Sequence, residues 1–182
     1  MKKIPTILFF LVSVMAQGIY AQGFVLQSPD IMGQLSKEQV FNGFGCHGDN
    51  ISPQLNWQNA PKETKSFAVT LYDPDAPTGS GWWHWLVFDI PAQVHSLKKN
   101  AGNIQIQNAP KGSIQSHSSF ARSGFGGACP PKGDKPHRYI FTVYALKIAT
   151  LGLDEKATPA LVGFYLNANA LAKASVIAYY GR

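Results

Sequence analysis

The sequence predicts a mainly β protein, a β-sandwich with short accessory helices and a C-terminal helix, on three observations. Runs of apolar, aromatic and β-branched residues recur with period two, the spacing of a strand with one face turned inward. Gly, Pro, Asn and Asp punctuate the chain densely between these runs, without an internal repeat or a low-complexity linker. Helix signals gather near the C-terminus, so strands must supply the main layers of the core.

Each element follows from its residues. In Ser66–Tyr72, the side chains of Phe67, Val69 and Leu71 share one face. His84–Ile90 is apolar on both faces, which predicts a central strand between two layers. His137–Leu146 is the longest run, rich in aromatic and β-branched residues. Ser175–Tyr180 reads as a closing strand. Thr158 is a good N-cap, Pro159 suits the first helical position, and strong helix formers continue from Ala160 to Lys173. That helix would turn Leu161, Tyr165, Ala168 and Ala172 to one side, and a shorter helix is expected near Asp154–Ala157.

The N-terminus has the layout of a secretory signal peptide: Lys2 and Lys3, an apolar run from Ile7 to Met15, then Ala16 and Ala21 with Val14 and Ile19 at the matching −3 positions. The run is shorter than the roughly 20 residues of a spanning helix, and no later stretch is long and apolar enough to cross a bilayer. Residues 1–21 are therefore expected to be a signal and 22–182 one domain, periplasmic or secreted, with the alternative cleavage after Ala16. About 160 residues suffice for one sizeable core. Loss of Lys2 and Lys3 lowers the net charge from +6 to +4. The remaining basic residues are scattered, which argues against a nucleic-acid surface and leaves a mild preference for anions.

Cys46 and Cys129 are the two cysteines. Export favours a disulfide, while free thiols or half of a metal site stay open; neither lies in a CxxC. A bridge between them would stabilise by about 4 kcal/mol on the chain-entropy model.

Three segments concentrate the polar chemistry: Asp73-Pro74-Asp75-Ala76-Pro77, Trp82-Trp83-His84-Trp85, and Cys129-Pro130-Pro131-Lys132-Gly133-Asp134-Lys135-Pro136-His137-Arg138-Tyr139. Singly, each has a structural explanation: an Asp-Pro turn, a core histidine, a rigid turn feeding a strand. Jointly they place Trp82 with His84, and His137 with Tyr139, on common faces at strand ends. A histidine there donates an N–H to an anion while a carboxylate, from Asp73 or Asp75, fixes its other nitrogen. A Tyr hydroxyl adds a donor. Such a cleft suits phosphate, sulfate or a carboxylate.

These segments, with "GFGCHGDNISPQLNW", "HRYIFTVYAL", "PALVGF" and the terminal "YYGR", resemble the signature stretches of the phosphatidylethanolamine-binding protein family, also called Raf kinase inhibitor-like proteins, and specifically its bacterial branch. The resemblance runs from about Gly43 to Arg182. It implies a sandwich of antiparallel sheets with a small anion pocket at one end. By matching motifs, Asp73 and Asp75 stand in the acidic loop, Trp82 and His84 are the Trp and first pocket His, Pro130 and Pro131 form the rim, and His137 and Tyr139 are the second His and the Tyr. It also implies binding of phosphate-like groups, including phospholipid head groups, without catalysis or cofactor. Residues 98–120 match no pattern, so one wall of the pocket is unassigned, and His47 reads as a surface loop residue. Kinase regulation belongs to cytosolic eukaryotic members and does not transfer to an exported chain.

Two other function classes stay open beside the anion-binding protein. One is a protein-interaction module, for example a protease inhibitor. The other is a hydrolase or metal-dependent enzyme using His84, His137 and an Asp, but the chain has no G-x-S-x-G elbow and no H-E-x-x-H helix.

Overall fold

The computed structural model describes residues 23–182; the signal-peptide expectation falls on residues that lie outside them. The chain runs through β1 (Val25–Gln27), one 3-10 turn (Lys37–Gln39), β2 (Asn42–Gly43), β3 (Cys46–His47) and β4 (Leu55–Gln58). It continues through β5 (Ser66–Asp73), β6 (Trp82–Pro91), β7 (Ser96–Leu97), β8 (Ile114–Gln115), β9 (His137–Leu146), α1 (Pro159–Asn169) and β10 (Ala170–Tyr180). The main sheet has five strands in the order β10-β9-β5-β6-β8, and a second sheet has three, β1-β4-β7. Neighbouring strands in both sheets are antiparallel.

The two sheets close face to face over one apolar layer. Leu26, Leu55, Trp57 and Leu97 of the small sheet meet Phe67, Val69, Leu71, Trp85, Val87, Phe141 and Val143 of the large one. The other face of the large sheet is buried too, because Val162 and Leu166 of α1 pack on Ala68, Leu86, Phe88 and Leu146. Two covered faces explain why β5, β6 and β9 carry near-continuous apolar residues rather than a clean in/out alternation. Burying each large aliphatic or aromatic side chain contributes about 1.5–3 kcal/mol.

The expected β-sandwich is the observed one, with some elements redrawn. The helix ends at Asn169, not Lys173, and β10 begins at Ala170. Residues 170–174 are good helix formers, but helix propensity is worth only a fraction of a kcal/mol per residue. Pairing with β9 from Ala170↔Leu146 to Tyr180↔His137 outweighs it, and Ala172 and Ala174 reach the inter-sheet core. The buried stripe of α1 is Val162 and Leu166, whereas Leu161 and Ala168 are exposed. Near Asp154 there is a turn rather than a helix, closed by the Asp154 carboxylate accepting from the Lys156 amide at 2.9 Å. Among the described residues the short accessory helices reduce to the 3-10 turn, which Ser36 and Gln39 cap reciprocally.

One irregularity in β6 matters for function. Tyr72 pairs with Trp83, but Leu71 pairs with Trp85, so His84 is the extra residue of a β-bulge. The bulge lets consecutive residues His84 and Trp85 both face the inter-sheet side, Trp85 in the core and His84 at its end, against the ring of Tyr139.

Candidate functional site

At one end of the sandwich the C-terminus of β5 and the N-termini of β6 and β9 converge. Between them lies a cavity of about 170 Å³ lined by Asp73, Trp82, His84, Pro130, Pro131, His137 and Tyr139, together with Phe44, Ala76, Pro77, Thr78, Phe120 and Cys129. The residues nominated from sequence are thus brought together, except Asp75. Its carboxylate turns away to Arg138, accepting from Nη2 at 2.8 Å and from Nε and the backbone amide at 2.9 Å each. The Arg138 guanidinium holds the Asp75 carboxyl far below the usual carboxylate range. Asp75 therefore pins the acidic loop to β9 instead of facing the cavity.

Asp73 is buried and organises one wall. Its Oδ1 accepts the amides of Asp75 and Ala76 at 2.8 and 3.1 Å, and its Oδ2 meets His137 Nδ1 at 2.8 Å. The other nitrogen of His137, Nε2, lies 3.3 Å from Asp134 Oδ2. Burial works against a charge on His137, but the two carboxylates outweigh it and its pKa stands above the ordinary histidine value. Both nitrogens are engaged, so the expected arrangement, one nitrogen on a carboxylate and the other open for an anion, does not hold at His137.

His84 is built the opposite way. Its Nδ1 meets the carbonyl oxygens of Gly126 and Gly127 at 2.8 and 3.1 Å. Carbonyls only accept, so Nδ1 bears the hydrogen and Nε2 is a bare acceptor. Burial lowers the His84 pKa to about 4, the two carbonyls opposing only in part, and the ring is neutral at neutral pH. No carboxylate orients this histidine, contrary to expectation; the backbone does.

Two of the lining residues keep a buried polar atom that no protein group partners, His84 Nε2 and Tyr139 Oη. The Asp73 carboxylate and the Cys129 backbone lie near enough to act on the Tyr139 hydroxyl, but neither meets it in hydrogen-bonding geometry. Burial, first, and Asp73 push its pKa up, so it stays a protonated donor.

Sequence reasoning missed Phe44, Phe120, Asp134 and the Gly126–Gly127 carbonyls. Phe120 sits edge-on to both Trp82 and His84 and fills the wall that residues 98–120 left unassigned. Phe44, 69% exposed, stacks near Phe120 at the mouth. The run Gly124-Phe125-Gly126-Gly127 was the available signal, since clustered glycines mark close backbone approach. A Cβ on Gly126 would lie 2.3 Å from the Phe120 ring, and one on Gly127 would lie 2.2 Å from the Gln39 carbonyl oxygen.

The rim is braced covalently and by the C-terminal arginine. Cys46 and Cys129 form a disulfide across 83 positions of sequence. Arg182 Nε donates to the Pro130 carbonyl at 2.7 Å and Nη1 to the Gly45 carbonyl at 2.8 Å. His47 is exposed, as expected of a surface position, although it belongs to a short hairpin. Among the described residues no group of three or more His, Cys, Asp or Glu side chains is arranged to hold a metal ion. Nor is any described helix long and apolar enough to cross a membrane.

Fold and site together define an antiparallel β-sandwich with a histidine-lined cavity at one end of its strands. A sequence model of the family described as phosphatidylethanolamine-binding protein matches residues 32–181, and the chain belongs to that family. It is 54% identical over 147 residues to the UPF0098 protein YbcL of Escherichia coli K12, covering 81% of this chain and 80% of the relative. With YbhB of the same organism it shares 50% identity, covering 81% and 92% respectively. The crystal structure of E. coli YbcL superposes with a TM-score of 0.86 at 52% identity, over 87% of this chain and 98% of that one.

Proposed function

We propose that this chain is an exported, non-catalytic binding protein whose cavity takes a small anion of the phosphate class, phospholipid head groups included. The observation that carries the proposal is that two residues lining one cavity, His84 and Tyr139, each keep a buried polar atom, Nε2 and Oη, without a hydrogen-bond partner in the protein. Buried polar groups left without partners are costly, and a bound ligand supplies the partners. About 170 Å³ is room for a group of head-group size. The family's name describes the same ligand class.

Binding rather than turnover is favoured by how the wall is committed. His137 and Asp73 are held by each other and by neighbouring groups, Thr78 Oγ1 donates to the Gly81 carbonyl at 2.6 Å, and Cys129 is in the disulfide. Among the described lining residues no hydroxyl or thiol is paired with a base that could activate it. Export is supported by the signal-like N-terminus and by the disulfide, which persists in oxidising compartments.

The test is thermal unfolding of the native protein with phosphate or phosphoethanolamine. A ligand that binds the folded state raises the midpoint by mass action. The gain is expected to vanish in His84→Ala and His137→Ala, and the absence of any shift at millimolar ligand in the native protein would overturn the proposal.

A further inference from the structure

We propose that the cavity selects the protonated form of a phosphate monoester, so that ligand and proton are bound together. This rests on the anion-binding function above and states which form of the anion the site accepts.

The geometry begins with a locked tautomer. The His84 ring is 4% exposed, and the carbonyls that face its Nδ1 are themselves fixed. The Gly126 amide donates to the His84 carbonyl at 3.0 Å, the Gly127 amide to Asn50 Oδ1 at 2.7 Å, and the Ala128 amide to the Gln39 carbonyl at 3.0 Å. The other neutral tautomer would set a bare Nδ1 against two carbonyl oxygens. The neutral ring thus offers an acceptor at Nε2, and Tyr139 offers a donor at Oη. An anion without a proton satisfies Tyr139 but turns a lone pair toward the lone pair of Nε2. A monoanion bearing P–O–H satisfies both: its hydroxyl donates to Nε2, and another of its oxygens accepts from Tyr139. The proton stays on the ligand oxygen, and no bond to phosphorus changes.

The surroundings do not readily supply a second proton to His84. From β5 it faces Asp73, whose charge favours a proton on His84 but is outweighed by burial and is already engaged by His137 and by the amides of Asp75 and Ala76. From β9 it faces Tyr139 and His137, and the latter's affinity for a proton opposes another charge nearby. Residues 126–127 contribute only carbonyl oxygens, and Phe120 contributes a ring edge. Burial moves His84 in the same direction. A ligand lacking a proton must therefore draw one from solvent, at a cost that grows about tenfold in affinity per pH unit.

Calorimetric titration with methyl phosphate and methyl sulfate tests this, each in two buffers of different ionisation enthalpy. At about pH 5 both are monoanions of the same shape, and only methyl phosphate carries a hydroxyl, its second ionisation lying near about 6. Methyl phosphate is expected to bind roughly tenfold or more tightly than methyl sulfate at that pH. Its affinity should then fall toward tenfold per pH unit above about 7, with uptake approaching one proton per ligand. In His84→Gln, whose amide can present a donor, the preference should narrow to within about threefold. Equal affinities with no proton uptake overturn this inference and leave the anion pocket standing. An unchanged preference in His84→Gln overturns the part assigned to His84. If neither ligand binds, the anion pocket and this inference fall together. Should His84→Gln not fold, the comparison in the native protein decides alone.

Discussion

His137 Nδ1 and Asp73 Oδ2 lie 2.8 Å apart across the adjacent strands β9 and β5, with both side chains almost wholly out of solvent. Opposite them, His84 is held by two backbone carbonyls and no carboxylate. One cavity thus contains two histidines pushed in opposite directions, His137 toward the charged form and His84 toward the neutral one. Carboxylates favour the first charge, and burial disfavours the second, the two carbonyls offsetting it only in part.

This opposition predicts a stability maximum near the ordinary histidine pKa. His84 is depressed to about 4, so between that value and 6.5 the unfolded chain binds the extra proton, and stability falls as pH drops through the window, by roughly 3 kcal/mol in all. His137 is raised, so its contribution is complete below 6.5 and is lost as pH climbs through its elevated value. Urea unfolding across about pH 4 to 9 should trace a dome centred near about 6.5. In Asp73→Asn the alkaline limb attributed to His137 should flatten, and a native curve that rises steadily to pH 9 would count against the assignment.

Tyr139→Phe separates binding from folding. Because the hydroxyl is buried and no protein group partners it, its removal should leave stability within about 0.5 kcal/mol or raise it slightly. Affinity for phosphate should drop about tenfold, the ligand having lost a donor. Chemical denaturation and calorimetry on the same preparation check both halves; a large destabilisation with intact affinity would make Tyr139 purely structural.

Gly127→Ala should be severe for a position with no side chain. The new Cβ would meet the Gln39 carbonyl oxygen at 2.2 Å and the Phe41 amide nitrogen at 2.7 Å, backbone atoms that cannot step aside. Overpacking of this kind costs typically about 1–3 kcal/mol. The displaced segment carries a carbonyl that orients His84, so ligand affinity should fall alongside the unfolding midpoint. Gly79→Ala, with nothing within 4 Å of its Cβ, is the control that should change neither.

Reduction of the Cys46–Cys129 disulfide should lower stability by about 4 kcal/mol on the chain-entropy model, given the 83-residue separation. The Cys46→Ser/Cys129→Ser double variant should unfold at correspondingly lower urea. An unchanged midpoint would mean that Arg182, which joins Pro130 to Gly45 nearby, holds the rim without the bridge.

The legible parts of the site were those on regular strands. His137 and Tyr139 alternate inward with Phe141 and Val143, as the sequence spacing implies, and the same logic placed Phe67, Val69 and Leu71. Asp75 was misjudged because a turn carboxylate points wherever its partner lies, and that partner, Arg138, is 63 positions away. Phe120 and the Gly126–Gly127 carbonyls lie in irregular chain, where no periodicity announces a direction.

What the sequence by itself determined is the set of long strands, their inward faces and the clustering of Asp73, His84, His137 and Tyr139 at strand ends. Strand periodicity is a local property of extended backbone, readable from a few neighbouring residues. Only the tertiary structure decided where α1 yields to β10, that a bulge turns His84 toward Tyr139, and which nitrogen of His84 carries its hydrogen. Each of these depends on groups far apart in the chain: β9 beside the residues after the helix, β5 out of step with β6, and carbonyls 42 and 43 positions beyond the ring they hold. Local propensity carries no information about such partners, because their free energy arises only when the sheets close.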